Sequence, residues 1–287
     1  MVQRRSDTPH LLDAAIVVVG DEVLDGFVEE ANAAWLSQRL QELGIPLERI
    51  AVVRDDVDAI RAELELALAG DRPRVVFTSG GIGGTWDDVT YQAVAEVQGV
   101  GLEDSPALLE PVQRIIDWAA DHGYEFDEDA VNGMRRIAAI PAGAEVLQLK
   151  TFLAAVHAPL DGGIDAPGGA AVVVLPGPPG HLRALFDQLI VPRLLAGRGS
   201  EYGTVTVEHA YPETLLVGAL GRIRRNHPEV TAGSYPGDPM VVRFRGPATA
   251  IQQASDELRA FLADLDRHPS AALIREAWTQ QAAGWEA

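Results

Sequence analysis

A glycine-rich segment followed by two carboxylates, residues 78–88 with the sequence TSGGIGGTWDD, is the part of the chain best suited to chemistry. Glycines lack side chains, so the backbone N–H groups of such a loop can approach a ligand phosphate closely. The same spacing also fits an ordinary tight turn in which Asp87 only caps the helix that begins near it. The residues predicted to bind phosphate are Thr78, Ser79, Gly80, Gly81, Gly83, Gly84 and Thr85.

The two carboxylates that end this segment, Asp87 and Asp88, would repel a phosphate unless a cation lies between them. Oxygen ligands favour a hard divalent ion that is bound partly through the substrate phosphates. Magnesium or manganese is therefore the expected cofactor, with cobalt as a third candidate. Such an ion can neutralise a pyrophosphate and activate a water for attack at phosphorus.

Two further acidic pairs each follow a short apolar run that predicts a buried strand. Residues 21–22 come after the run 14–19, and residues 55–56 come after the run 47–53. Each pair alone also fits a solvated surface or a helix cap. The carboxyl ends of parallel strands meet at one edge of an open sheet, so both pairs and the glycine loop predict one shared site. The predicted catalytic residues are Asp55, Asp87 and Asp88, and the predicted metal ligands are Asp21, Glu22, Asp87 and Asp88.

The order of the apolar runs predicts an α/β fold with a mainly parallel sheet. Strands at 14–19, 47–53 and 74–78 alternate with helical patterns at 29–43 and 57–70. Units this short imply crossover connections and helices on both faces of the sheet.

The later part of the chain predicts one more strand of this sheet and then a second domain. A strand at 170–175 precedes a helix at 181–195, while the glycine-rich stretch 149–169 is predicted to be a loop or a weak strand. The predicted division is an α/β domain over 1–199, a small α+β domain over 200–268, and a weakly attached tail over 269–287.

Composition excludes several classes of function. The formal net charge of −19 argues against nucleic-acid partners, and the absence of cysteine excludes disulfides and thiolate chemistry. The glycine loop lacks the lysine of a nucleotide-binding P-loop, and the seven histidines show no metal-ligand spacing; His157 and His181 are expected at the surface. No run resembles a signal peptide or a membrane span, so a soluble cytoplasmic protein without membrane partners is expected.

Several motifs together resemble the molybdopterin-binding domain family. The segment GDEVL at 20–24 with Asn32 is similar to the family's opening motif, and residues 53–56 are similar to its second acidic loop. The glycine loop resembles the family signature, and residues 175–179 resemble a downstream loop. The resemblance adds Asn32, Gly177 and Pro178 to the predicted ligand-binding residues.

The resemblance is closest to CinA-type proteins, because Glu213 and residues 228–236 are similar to the small second domain that they share with the hydrolase half of eukaryotic FAD synthase. It implies a three-layer α/β/α sandwich and a pocket for a nucleotide or pterin small molecule, with molybdopterin as a candidate ligand. CinA-type relatives hydrolyse the diphosphate of ADP-ribose or FAD, whereas Mog-type relatives adenylylate molybdopterin. Hydrolysis is expected first, and adenylyl transfer and non-catalytic binding are the alternatives.

Departures from the family pattern concern the loop and the segments beyond it. Gly84 stands where the signature has proline, which predicts a more flexible loop. Residues 150–167 lack the family's usual GTAPG sequence, and the C-terminal amidase domain of full-length CinA is not expected in this chain. Family members associate as dimers or trimers, so a homo-oligomer is expected.

Overall fold

The computed structural model describes residues 12–149, 154–199, 202–237 and 239–283, with only the backbone described at 202 and 278–283. The chain divides into two compact units, residues 1–200 and 201–287. Residues 150–153 belong to the segment that departs from the family pattern, and they lie outside the described residues.

The large unit alternates strands and helices along the chain. Its described strands are Asp13–Val19 (β1), Leu47–Val53 (β2), Arg74–Ser79 (β3), Leu102–Asp104 (β4), Ala139–Pro141 (β5), Glu145–Gln148 (β6), Ala154–Leu160 (β7) and Ala170–Leu175 (β8). Its described helices are Asp21–Leu24 (α1), Asn32–Glu42 (α2), Val57–Leu68 (α3), Thr90–Gln98 (α4), Pro106–Asp121 (α5), Glu128–Arg136 (α6) and Pro179–Leu185 (α7), and a π-helix at Phe186–Leu195 continues α7.

One sheet forms the centre of this unit, in the order β2-β1-β3-β8-β7-β6. β2, β1, β3 and β8 run parallel, and β7 pairs antiparallel with both β8 and β6. Every residue of β1, β3 and β8 is buried, as expected for parallel strands covered on both faces. The predicted mainly parallel α/β sheet is confirmed.

Two hydrophobic cores cover the two faces of the sheet. Ile16 and Phe77 belong to the core that includes residues of α2 and α7. Their neighbours Val17 and Val76 point to the opposite core, with residues of α3 and α4. Helices therefore pack on both sides of the sheet, and the predicted three-layer α/β/α sandwich is confirmed.

The stretch 149–169 contains an interior strand of the sheet at 154–160, so for these residues the strand alternative of the prediction holds and the loop alternative is wrong. β7 lies between β8 and β6, and its Ala155, Val156 and Ala158 are buried. His157 and Pro159 interrupt the apolar run, so the sequence pattern does not clearly indicate a strand. The His157 side chain is only 14% exposed, so its predicted surface position is also wrong.

The small unit is an α+β module, as the sequence pattern predicts. Its antiparallel strands, Tyr202–His209 (β9), Thr231–Tyr235 (β10) and Met240–Pro247 (β11), lie in the order β10-β11-β9. Its helices are Glu213–Asn226 (α8), Ala248–Asp266 (α9) and Ala271–Ala283 (α10). Part of the predicted tail is thus helical and attached, since Ile274 packs on the core and Arg275 donates a hydrogen bond to Tyr211 Oη at 3.0 Å.

None of the helices in the described ranges is long and apolar enough to cross a membrane.

Replacement of Phe77 tests the packing of the central core of the large unit. Its side chain is fully buried, and its ring packs edge-on against Phe186 with centroids 5.5 Å apart. Phe77→Ala should lower the free energy of unfolding by about 3–5 kcal/mol, because it removes apolar contacts and leaves a cavity. Leu66→Ala, at a side chain that is 58% exposed, is the control and should change it by less than about 1 kcal/mol. Equal urea midpoints for the two variants would contradict this packing.

Candidate functional site

Four parallel strands end at the same edge of the sheet, and predicted site residues follow each of them. Val19 at the end of β1 pairs with Val53 at the end of β2. Ser79 at the end of β3 pairs with Val18 and with Leu175 of β8. The loops after these strands therefore begin side by side, as the edge rule for open sheets predicts.

The loops after β1 and β2 are joined by reciprocal contacts between Asp21 and Asp55. The Asp21 backbone N–H donates to Asp55 Oδ2 at 2.8 Å, and the Asp55 N–H donates to Asp21 Oδ1 at 3.4 Å. Arg54 Nη1 lies 3.3 Å from Asp21 Oδ1. Asp56 has a different role, because its side chain accepts from the Ala59 N–H at 2.9 Å and caps α3.

Asp55 stands in a region of crowded negative charge. Burial raises the pKa of its carboxyl above the ordinary value of 3.8, and the charges of Glu22, Asp21 and Asp87 raise it further. The hydrogen bond from the Asp21 backbone opposes this shift of the pKa. The charges of all three carboxylates thus disfavour ionisation of the Asp55 carboxyl, and Asp55 is a stronger base than an ordinary aspartate.

The glycine loop is held against the ends of β1 and α4. Gly80 has φ of 100° and Gly81 has φ of 64°, both in the left-handed region. A Cβ atom on Gly80 would lie 2.2 Å from the Val19 carbonyl oxygen, and one on Gly81 would lie 3.2 Å from Asp55 Oδ1. Thr90 fixes the loop from the other side, because its hydroxyl donates to Gly80 O at 2.9 Å. The loop therefore passes directly beside the acidic residues.

The helix after the loop begins at Thr90, so the expectation that it begins near Asp87 is wrong. Val89 occupies the N-cap position, and Asp87 does not cap the helix. Asp88 Oδ2 accepts hydrogen bonds from the Thr85 N–H at 2.8 Å and from the Thr85 hydroxyl. Asp87 Oδ1 is buried and has no hydrogen-bond partner among the residues that the structure describes. Asp88 thus closes its own loop, while Asp87 keeps an uncommitted oxygen.

Thr90 is a functional candidate that the sequence interpretation missed. A hydroxyl residue at the start of the predicted helix was the available signal, because such residues commonly bond to backbone groups at helix starts. Its backbone N–H also donates to Gly81 O at 3.0 Å, so it holds two consecutive residues of the loop.

Gly84 is not loosely held, contrary to the predicted flexibility. Arg136 Nη2 donates to its carbonyl oxygen at 2.7 Å. Its backbone also approaches Gly133 of α6 so closely that a Cβ on Gly84 would lie 2.6 Å from the Gly133 carbonyl oxygen. The end of the loop is therefore packed on α6.

Asn32, the first residue of α2, ties the ends of β3 and β8 together. Its Nδ2 donates to Ser79 Oγ at 2.9 Å and to the Gly177 carbonyl oxygen at 2.7 Å. The residue is 7% exposed, and its Oδ1 has no hydrogen-bond partner in the described part of the chain. Thr78 lies inside the sheet and is fully buried. Asn32 and Ser79 are thus placed at the site, whereas Thr78 supports it from within.

Two adjoining cavities open around the glycine loop. The smaller, of about 320 Å³, includes Asn32 and Ser79 in its lining. The larger, of about 400 Å³, includes Tyr91, Leu108 and Ile137. The residues common to both linings are Glu22, Gly80, Gly177 and Pro178. The predicted site thus consists of two chambers that meet at the loop.

The predicted metal ligands do not form a complete cage. No group of three His, Cys, Asp or Glu side chains within the described ranges is placed to hold a metal ion. The crowded charge at Asp55 nevertheless fits a cation that is held by one or two carboxylates together with substrate phosphates, which is the usual mode for magnesium. The roles of Asp21, Glu22, Asp87 and Asp88 as metal ligands stay predictions.

Replacement of Gly80 tests the close approach of the loop to β1. Gly80→Ala should lower the free energy of unfolding by at least about 2 kcal/mol, because the residue has positive φ and its Cβ would meet the Val19 carbonyl. Gly180→Ala is the matched control, since a Cβ there meets nothing within 4 Å and alanine favours α7. Thermal unfolding of both variants is the measurement, and equal midpoints would contradict the loop geometry.

The raised pKa of Asp55 predicts a pH-dependent stability. An acid whose pKa is raised on folding binds its proton more tightly in the folded state, so its ionised form destabilises the fold above the unfolded pKa of 3.8. Asp55→Asn should therefore raise the urea midpoint at pH 7, and the gain should shrink as the pH falls towards 3.8. If Asp55→Asn did not raise the urea midpoint at pH 7, or raised it equally at every pH, the result would argue against crowded negative charge around Asp55.

Comparisons with known proteins identify the family to which the chain belongs. The family model described as "Probable molybdopterin binding domain" matches residues 15–196. A protein of Aeropyrum pernix is 36% identical over 254 residues, which cover 85% of this chain and 88% of that protein. A CinA-like protein of Salinibacter ruber is 31% identical and covers 84% of this chain, but the match spans only 56% of that relative.

A solved structure, that of the protein CinA from Thermoplasma acidophilum, is 26% identical with a TM-score of 0.47, and the match covers 61% of this chain and 94% of that one. The family model alone spans more than half of the chain and includes every residue of the site. The chain belongs to the molybdopterin-binding domain family, with CinA-like proteins among its relatives.

Proposed function

We propose that this protein hydrolyses the diphosphate linkage of an ADP-ribose-like or FAD-like nucleotide with the help of a divalent metal. The observation that carries the proposal is the pair of cavities that meet at Gly80 and Gly177. A ligand with two bulky ends joined by a diphosphate fits such a site, with one end in each cavity. The Gly80 N–H at the shared wall is committed to the Leu175 carbonyl oxygen at 3.2 Å, so the phosphates would lie beside the following loop residues, Gly81 and Gly83, which line the larger cavity.

The two cavities differ in the chemistry that they offer. The larger contains Tyr91, Leu108 and Ile137, which suit the flat apolar face of a nucleobase or a flavin. The smaller is lined by the polar residues Asn32 and Ser79, which suit the hydroxyl groups of a sugar. This difference favours a nucleotide with unlike ends.

Asp55 is the residue that we assign as general base. Its raised pKa makes it a better proton acceptor than an ordinary carboxylate, and Asp21 N–H orients its Oδ2. In the proposed reaction, Asp55 accepts a proton from a water whose oxygen attacks one phosphorus. The bond from this phosphorus to the bridging oxygen breaks, AMP and the phosphorylated remainder leave, and the proton on Asp55 passes to solvent.

Asp87, with its uncommitted oxygen, and Asp21 and Glu22 are the residues that would hold a metal together with the substrate phosphates. A bound divalent ion supplies charge neutralisation and a more acidic water. Asp88 supports this arrangement indirectly, because it closes the loop through Thr85.

Adenylyl transfer to molybdopterin is the second candidate, and the family description favours it. A pterin ring also fits the larger cavity, and an adenylyl group shares the chemistry of AMP. Incubation with ATP and molybdopterin decides between the two, because only a transferase forms an adenylylated pterin. A ligand that binds calorimetrically without any turnover would point instead to a binding protein.

Hydrolysis is tested by incubating the protein with ADP-ribose or FAD and magnesium, manganese or cobalt, followed by chromatography of AMP. Asp55→Asn should lower kcat by about 10²–10⁴, the usual contribution of a general base. Asp56→Asn is the matched control, because asparagine is an equally good helix cap and should leave turnover nearly unchanged. Lack of AMP with every metal, or normal turnover in Asp55→Asn, would overturn the proposal.

A further inference from the structure

We infer that Arg136 is a phosphate-binding residue of this site, supplying the positive charge that the glycine loop itself lacks. The inference rests on the proposed function, since it assigns a ligand contact within the same site. The loop has no lysine, and the carboxylates around Asp55 repel an anionic ligand. A cationic side chain beside the loop therefore has a direct role to fill.

Arg136 is fixed to the loop by a long-range contact. Its Nη2 donates to the Gly84 carbonyl oxygen at 2.7 Å, across 52 residues of sequence. Guanidinium has five N–H donors in a planar fork, so one bond to a carbonyl leaves other donors for a ligand. The bond to the Gly84 carbonyl thus orients the guanidinium and leaves its other N–H donors available.

The backbone of α6 is shaped for this contact. Gly133 lies one helical turn before Arg136, on the same side of the helix. A Cβ on Gly133 would lie 2.8 Å from the Gly84 carbonyl oxygen, so a side chain there would push the helix away from the loop. The paired glycines at 84 and 133 allow the approach that brings Arg136 to the loop.

The charge of Arg136 remains available, in contrast to that of Arg54. Arg54 lies between Asp21 at 3.3 Å and Asp25 at 3.5 Å, and its charge is largely offset by these two carboxylates. Within the described ranges, Arg136 bonds to the neutral carbonyl of Gly84 and forms no ion pair. An exposed, uncompensated guanidinium held in one position is well suited to a phosphate.

The position of the contact matches the proposed diphosphate path. Gly83 and Ile137, the chain neighbours of Gly84 and Arg136, both line the larger cavity. Arg136 and Gly84 do not themselves line the cavity, but each is the chain neighbour of a residue that does, and the guanidinium is held at this point by its bond to Gly84. A phosphate placed against Gly83 in this cavity would lie beside the residue whose carbonyl Arg136 holds.

Arg136→Ala tests the inference through binding of inorganic pyrophosphate in magnesium buffer, measured by calorimetry. The affinity should fall about tenfold to a hundredfold, as expected for loss of a charge-assisted hydrogen bond. Arg136→Lys should recover part of it, because the charge remains but the fork is lost. Arg135→Ala is the matched control, since Arg135 is an exposed arginine in the same helical turn, and it should bind as the unmodified protein does.

Ionic strength separates ligand contact from mere support of the loop. Affinity of the unmodified protein should fall more steeply with salt than that of Arg136→Ala, because a contacting charge is lost. Equal salt dependence, equal affinity, or an equal loss in Arg135→Ala would overturn the inference, and thermal unfolding checks that the variants are folded.

Two outcomes separate this inference from the proposed function. Binding that depends on Arg136 without AMP release would reject only hydrolysis. Turnover and pyrophosphate affinity that are both unchanged in Arg136→Ala would reject only the assigned contact.

Discussion

The passage of the glycine loop across the end of β1 is the constraint on which the site depends. Because Gly80 has no Cβ, the loop can turn where a side chain would meet the Val19 carbonyl oxygen at 2.2 Å. The next residue, Gly81, then lies beside Asp55, which belongs to a different strand end. One close backbone approach thus brings the backbone of the loop and a carboxylate from another strand end side by side.

The acidic character of the site opposes the stability of the fold. Asp55 carries a raised pKa because burial and three neighbouring carboxylates disfavour its charge. The reciprocal contacts with Asp21 and the nearby Arg54 offset part of this repulsion. Crowded carboxylates of this kind raise the proton affinity of one of their number, which is a common arrangement where chemistry is carried out.

The meeting of the candidate site residues at one edge of the sheet could be predicted from the sequence, because the carboxyl ends of parallel strands converge whatever the side chains are. The separate roles of Asp55 and Asp56 could not, since both follow the same strand, and only the backbone geometry decides which of them caps α3. The helix start was misplaced for a similar reason: Asp87 has a typical capping side chain, but the turn closed by Thr85 and Asp88 delays the helix to Thr90.

β7 and the contacts of Asn32 show a second limit of sequence patterns. The apolar run of β7 is interrupted by His157 and Pro159. It forms a strand because β8 and β6 pair with it on either side. Asn32 entered the predicted site only through the family resemblance, because its two bonds join residues that are 47 and 145 positions away. Long-range contacts of this kind leave no periodic signal in the sequence.

The replacement of the signature proline by Gly84 illustrates how such a contact can restore order. Proline restricts a loop through its own ring, whereas glycine leaves the backbone free and raises the entropy of the unfolded chain. Here the carbonyl of Gly84 is held by Arg136, and its Cα faces Gly133, so the restriction comes from α6. The order of the loop therefore depends on the docking of a helix, and the same contact that replaces the ring also brings a positive charge to the loop.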